Sequence, residues 1–443
     1  MESMHKCLRA GAAATDITPS GRPFLHGYPH VPRLATGVHD RLLAQALFLD
    51  DGRERTLFLA NDVVFVSKPI VARVRAAIAA RTSLKPSQIM VTATHTHSGP
   101  VTVDCVSERG DPTVPPADPG YLRQMEEGMI DAACRAVKEA QPAEAGLAVA
   151  EAAGLGSHRH DPAGPSDRQV PVLAVRPMGG EPHIAILLVS SMHPTVLHED
   201  STLISGDFPA LARLHLQSNI VGSSCPVLCH TGPCGNQSPR HVVQGNTFDE
   251  AQRLGQVLSR AVGGILKDIE YASDLTLRSL SGHVDLPRKA FLSVSAAHAG
   301  LERARARLDR LRKDSAPRPD VRTAECDLFG AEEALVLAKA AGDGSLDAAF
   351  ANCLPAEIQV LGVGPWRFVG WPGEVFVEYA LEVKRQSGQA FVISLANGEL
   401  QGYVAAPGAV GYEASNGIFA PEAGAVLVRE TLAMLRRLDE VRP

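Results

Sequence analysis

At 443 residues, 45% hydrophobic and 21% charged, the chain has the make-up of a folded globular protein with a large core. A net charge of −6 and a pI near 6.2 argue against a nucleic-acid-binding surface, and no run of about eighteen apolar residues marks a membrane span. The opening stretch MESMHKCLRAGAAATDITPSG (1–21) has no cationic segment leading into an apolar one, so the expected location is cytoplasmic, with the eight scattered cysteines as reduced thiols.

In chain order, apolar or alternating runs predict strands at 42–50, 56–62, 89–97, 170–177, 183–191 and 225–230, then at 356–364, 366–373 and 390–398. Helical spacing predicts helices at 68–81, 121–140, 205–217, 249–268 and 421–438. Strands alternating with helices give an α/β class, layered mixed sheets flanked by helices. No Ser/Gly-rich linker divides the chain, so one large catalytic domain is expected over 1–443. Residues 293–342 differ in being rich in Ala, Leu, Arg and Glu. They read as two helices around a turn at 315–320, an inserted hairpin whose charge run is a solvated face with no catalytic role.

Polar residues gather where apolar runs stop. In VTATHTHSGP (91–100) a continuing strand would put Ala93, His95 and His97 on one face, so that two imidazoles project together from a strand end. Two hydrogen-bonded histidines fit the same short pattern. GSHRHDP (156–162) collects His158, Arg159, His160 and Asp161 in a loop, and SMHPTVLHEDSTLISGDFP (191–209) places His193 at a strand end with His198, Asp200 and Asp207 nearby. HTGPCGNQSPRH (230–241) presents Ser238 before a proline. FVGWPGEVFVEY (368–379) offers Glu374 just past a Pro-Gly turn, where a helix start is expected.

A hydrolytic zinc site needs about three nitrogen or oxygen ligands and an open position. His95, His193 and Glu374 could supply them from three strand ends, where sites in layered α/β folds gather. Taken singly, His193 could simply end its strand and Glu374 could answer a helix dipole. Ser238 is not in a Gly-x-Ser-x-Gly elbow, and by local chemistry alone a turn serine is the better reading than a nucleophile.

These segments, in this order, resemble the neutral/alkaline non-lysosomal ceramidase family. The matches are GAAATDITP (11–19), HGY (26–28), TGVHDRLLAQALFL (36–49), THTHSGP (94–100), SMHP (191–194), GNQSP (235–239), GWPGE (370–374) and GYEASN (411–416). The resemblance implies one Zn2+ per chain held by His95, His193 and Glu374, with His97 beside it as a hydrogen-bonding or proton-handling group. It implies Ser238 as nucleophile or oxyanion stabiliser, and Arg159 as the group that polarises the substrate carbonyl. Two departures stand out. The family's tyrosine ligand falls on Leu400, which leaves Tyr403, Tyr412, Glu399 or water for that place. The family's C-terminal immunoglobulin-like domain has no counterpart here.

The expected activity is therefore zinc-dependent hydrolysis of a C–N amide bond in a small-molecule or lipid-like N-acyl compound, or of a smaller soluble amide, ester or lactone. The alternatives are a metal-independent serine esterase or amidase using Ser238 with His97 or His230, and a non-catalytic zinc-binding homologue. No nucleic-acid partner is expected, and oligomeric state is not encoded in any motif.

Overall fold

The computed structural model of the chain describes residues 7–440; the first six, which open the segment read as lacking an export signal, lie outside it. Two sheets stack face to face, and helices cover both outer faces. The larger sheet has eight strands in the order Val227–Thr231, Ala185–Ser190, Gln169–Pro177, Gln141–Glu151, Arg9–Asp16, Leu43–Asp50, Arg55–Asn61 and Ile89–Ala93. The smaller has four, in the order Leu277–Val284, Ala356–Val363, Trp366–Gly370 and Ala390–Ile393. Neighbours are mostly antiparallel, but each edge of the large sheet ends in a parallel pair. The layered mixed α/β class expected from the sequence is what the chain adopts.

Strand alternation explains the layers. Along Leu43–Asp50, Ala44, Ala46 and Phe48 pack under the helices Lys68–Arg81 and Pro119–Lys138, while Leu47 and Leu49 point between the sheets. There they meet Phe58, Leu361, Phe368 and Ile393. The outer face of the small sheet is buried by Leu346–Cys353, Val377–Ser387 and Glu422–Glu440. The helices Asp207–Leu216 and Phe248–Ile265 cover the other half of the large sheet.

The two edges of the large sheet face each other. Thr92 Oγ1 lies 2.8 Å from His230 Nδ1, and Thr231 Oγ1 donates to the Thr94 carbonyl at 2.8 Å. The segment after Ala390–Ile393 wedges in beside them, with Asn397 N–H donating to the Val91 carbonyl and Val91 N–H to Asn397 Oδ1. The strands ending at Ala93, Ser190, Thr231 and Gly370 therefore release their loops in one place.

Three expectations need correction. The strand read through 97 stops at Ala93, and His95 takes a left-handed backbone (φ 68°), so His95 and His97 leave a turn rather than a strand face. Glu374 does not start a helix. Glu374–Val375 forms a short parallel bridge with Tyr403–Val404, and the helix begins at Val377. The hairpin exists, as Val294–Lys313 and Arg318–Asp343, but its second helix is no bystander. Arg322, Cys326 and Phe329 line one cavity of the site below, and Glu333 lines the other.

Candidate metal centre and flanking cavities

His95, His97 and His193 come from two turns far apart in sequence, and their ligating nitrogens lie within 4.8 Å of one another. His97 Nε2 is 3.4 Å from His95 Nε2 and 3.1 Å from His193 Nε2. Glu374 Oε2 lies 3.1 Å from His95 Nε2 and 3.8 Å from His193 Nε2. Ligands about 2.0–2.1 Å from a tetrahedral zinc sit roughly 3.3 Å from each other, so these separations suit one shared ion. Glu374 Oε2 is buried without a hydrogen bond, which is the state of an oxygen kept for a cation.

Supporting contacts aim the rings. His95 Nδ1 lies 2.9 Å from the Val64 carbonyl; donating there leaves the Nε2 lone pair facing its neighbours. Burial, reinforced by neighbouring cations, holds His97 and His193 well below the usual imidazole range, so both are neutral near pH 7. Gly27 (φ 113°) passes so close that a Cβ there would lie 2.5 Å from the His97 ring; only glycine both takes that backbone and leaves the ring in place.

Beside the imidazoles, the two-residue ladder Ser157–His158 with Gln237–Ser238 carries Arg159 into the same space. Arg159 Nε donates to the Gln237 carbonyl at 3.0 Å. Its Nη1 meets Glu413 Oε1 at 2.5 Å and Tyr403 Oη at 3.4 Å, and its Nη2 lies 2.6 Å from His193 Nδ1. Ser238 caps the short turn Pro239–His241, its Oγ accepting the Arg240 N–H at 3.2 Å. Tyr403 and Tyr412 pack edge to face at 5.6 Å, and burial keeps both phenols protonated.

Two cavities share His97, Tyr403 and Tyr412 as a common wall. The first is lined by Ser238, Arg159, Arg240, Arg322, Tyr28 and Phe329. The second is lined by His26, Cys105, Glu108, Glu333 and Glu374. In the second, His26, Cys105 and Glu108 also bring ligand-type atoms together, but His26 Nε2 is already paired with both Glu108 oxygens at 3.0 Å.

Of the residues singled out from sequence, His95, His97, His193, Glu374, Ser238, Arg159, Tyr403 and Tyr412 all line these two cavities. Leu400 packs against Gly373 as an apolar core residue. His230 is elsewhere. Its ring lies between Thr92 and Phe58, lines neither cavity, and burial lowers its pKa to about 3. It is not in reach as a base for Ser238. The cysteines 225, 229 and 234 are buried and unbridged.

Residues 8–153 match the family model "Neutral/alkaline non-lysosomal ceramidase, N-terminal". The resemblance to that family read from the sequence is borne out over this stretch. Two solved structures share the ceramidase-like fold along nearly the whole chain. A neutral ceramidase from Pseudomonas aeruginosa aligns over 98% of this chain and 75% of its own, at 19% identity and a TM-score of 0.73. A ceramidase complexed with C2 aligns over 98% and 76%, at 17% identity and a TM-score of 0.73. No helix among the described residues is long and apolar enough to cross a membrane.

Sequence reasoning missed Glu413, which anchors Arg159, although it lies inside the quoted GYEASN. Burial would raise the Glu413 pKa, but Arg159 and His160 (2.7 Å) overcome this and hold it at about 2. A folded-state pKa below the unfolded value of about 4.5 contributes stability above that pH, and the contribution fades as pH falls toward 2. The gap corresponds to about 3 kcal/mol. Glu413→Gln should lose about that much at pH 7, and its urea-unfolding free energy should converge on the wild type's as pH falls from 5 to 2.5. Parallel curves would show that Glu413 is not held ionised by this pairing.

Proposed function

We propose that the protein is a zinc-dependent hydrolase of amide bonds in N-acyl compounds, with His95, His193 and Glu374 holding the ion and His97 completing the set where Leu400 replaces a tyrosine. The observation that carries this reading is that His95 Nε2 and His193 Nε2 each lie 3.1 to 3.8 Å from both His97 Nε2 and Glu374 Oε2. The shared ceramidase fold makes an acylated amine the first substrate class to try.

A zinc ion there supplies Lewis acidity toward a carbonyl oxygen and makes water nucleophilic near neutral pH. The protein's part is orientation and proton handling. Ser238 O–H and the Arg159 guanidinium face the same cavity and can donate to an oxygen gaining negative charge. Tyr403, protonated and in reach of Arg159, is placed to give a proton toward the departing nitrogen. His97, neutral near pH 7, is a poor proton source, and its nearness to His95 and His193 favours a ligand's role. The eight unbridged cysteines suit a reducing compartment, in keeping with a cytoplasmic reading.

The test is metal analysis with activity before and after chelation. One zinc per chain is expected, with hydrolysis of short N-acyl amines lost on chelation and restored by zinc. Full turnover by rigorously metal-free protein would defeat the reading in favour of a metal-independent Ser238 route. Bound zinc with no turnover across amides, esters and lactones would favour a non-catalytic homologue.

A further inference from the structure

Arg240 is buried at 7% exposure and lines the first cavity, two residues beyond Ser238. Its Nη1 donates to Thr323 Oγ1 at 3.1 Å and its Nη2 to Cys326 Sγ at 3.6 Å, neither of them a carboxylate, while Nε has no partner. No carboxylate among the described residues lies within ion-pair distance of it. Its neighbours in the cavity wall are different. Arg159 meets Glu413 at 2.5 Å, and Arg322 meets Glu199 at 2.8 Å and Glu325 at 3.1 Å. A guanidinium taken out of water without an opposing charge is costly, and such a group persists where a ligand supplies the charge.

The two cavities differ in sign. No Asp or Glu lines the first, and no Lys or Arg lines the second, where Glu108, Glu333 and Glu374 gather. Glu333 Oε2 is buried there without a partner. An anion is thus drawn to the Ser238 side of the imidazoles, where a guanidinium stands without an opposing carboxylate.

We propose that the substrate carries an anionic oxygen group, a carboxylate or phosphate, close to its scissile amide, and that Arg240 binds it beside Ser238. Arg240 is then a specificity residue that separates this protein's substrates from neutral N-acyl lipids. The guanidinium suits this task because its planar fork of N–H groups matches a carboxylate or phosphate edge. The proposal rests on the amide-hydrolase reading for the word substrate, but not for the anion site itself.

Two measurements test it. The first compares kcat/KM for matched pairs: N-hexanoylglycine against N-hexanoylglycinamide, and the monobutylamide of succinic acid against N-butylpentanamide. The pairs place the charge on the amine and acyl sides in turn. Wild type should prefer an anionic member by roughly 10- to 100-fold, the effect of a hydrogen bond to a charged group. Arg240→Gln should shrink that ratio to within about threefold, and Arg240→Lys should keep part of it. Equal rates for both members in wild type, or an undiminished ratio in a folded Arg240→Gln, would overturn the proposal while leaving the amide-hydrolase reading intact.

The second measurement is calorimetric titration of metal-stripped protein with succinate and with inorganic phosphate, which also separates the two anion classes. Saturable binding of one anion per chain, weakened tenfold or more by Arg240→Gln, supports the site even if no amide is hydrolysed. No saturable binding of either anion, together with no anionic preference in turnover, sinks it. If Arg240→Gln fails to fold by circular dichroism, wild-type substrate preference alone decides.

Discussion

Replacing Ser238 by alanine is expected to lower kcat by roughly 10²- to 10³-fold and to leave measurable turnover, the loss typical of removing one oxyanion donor. A nucleophilic serine needs a base on its hydroxyl, and its removal costs about 10⁶-fold. The environment of Ser238 argues for the smaller figure. Its Oγ accepts the Arg240 N–H at 3.2 Å, and among the described residues no imidazole nitrogen hydrogen-bonds to it. His97 and His193 point their Nε2 atoms at each other, 3.1 Å apart, rather than at the hydroxyl. The hydroxyl proton is left free to face the cavity. Because Ser238 also caps a short turn, Ser238→Ala should cost about 1 kcal/mol of stability as well, read from urea unfolding. A drop near 10⁶-fold, with an acyl adduct on Ser238 in the wild type by mass spectrometry, would instead establish a covalent route.

How much of this was legible beforehand varies residue by residue. The helix at Lys68–Arg81 and the strand at Ala356–Val363 follow directly from spacing and apolar run length. The strand Arg9–Asp16 was quoted only as a motif, because RAGAAATD lacks the branched and aromatic side chains that mark strands. It forms because neighbouring strands and the helix Pro119–Lys138 bury its small residues. The helix after FVGWPGEVFVEY was expected to start at Glu374, but it starts at Val377 because Glu374–Val375 pairs with Tyr403–Val404 first.

At the site, residue types at strand ends were readable, but their convergence was not. It depends on the two edges of the large sheet meeting through Thr92, His230, Thr94 and Thr231, contacts made across more than a hundred residues. The hairpin was misjudged for a related reason. Arg322, Cys326, Phe329 and Glu333 follow helical spacing on one face, yet their mixed polarity gives no apolar stripe. A face built to line a polar cavity looks, in sequence, like one built to meet water.

Glu374→Gln is expected to have the largest effect of any single substitution, and it has a readout apart from catalysis. It should lower kcat/KM by at least about 10³-fold and zinc affinity by at least about 10²-fold, since it neutralises the carboxylate facing His95 and His193. In wild type, zinc at a thousand times its dissociation constant should add about 4 kcal/mol of stability by mass action. In Glu374→Gln that gain should nearly vanish. The metal-free variant should unfold no earlier than metal-free wild type, because it loses a buried carboxyl oxygen that has no hydrogen bond there. His97→Ala should likewise reduce the zinc-dependent shift, since its Nε2 lies as near His193 as Glu374 Oε2 lies to His95, each at 3.1 Å. If His97→Ala keeps the full shift and loses only turnover, His97 handles protons and the ion is held by three residues. If wild type shows no shift with zinc, and Glu374→Gln remains active, these groups do not form a metal centre.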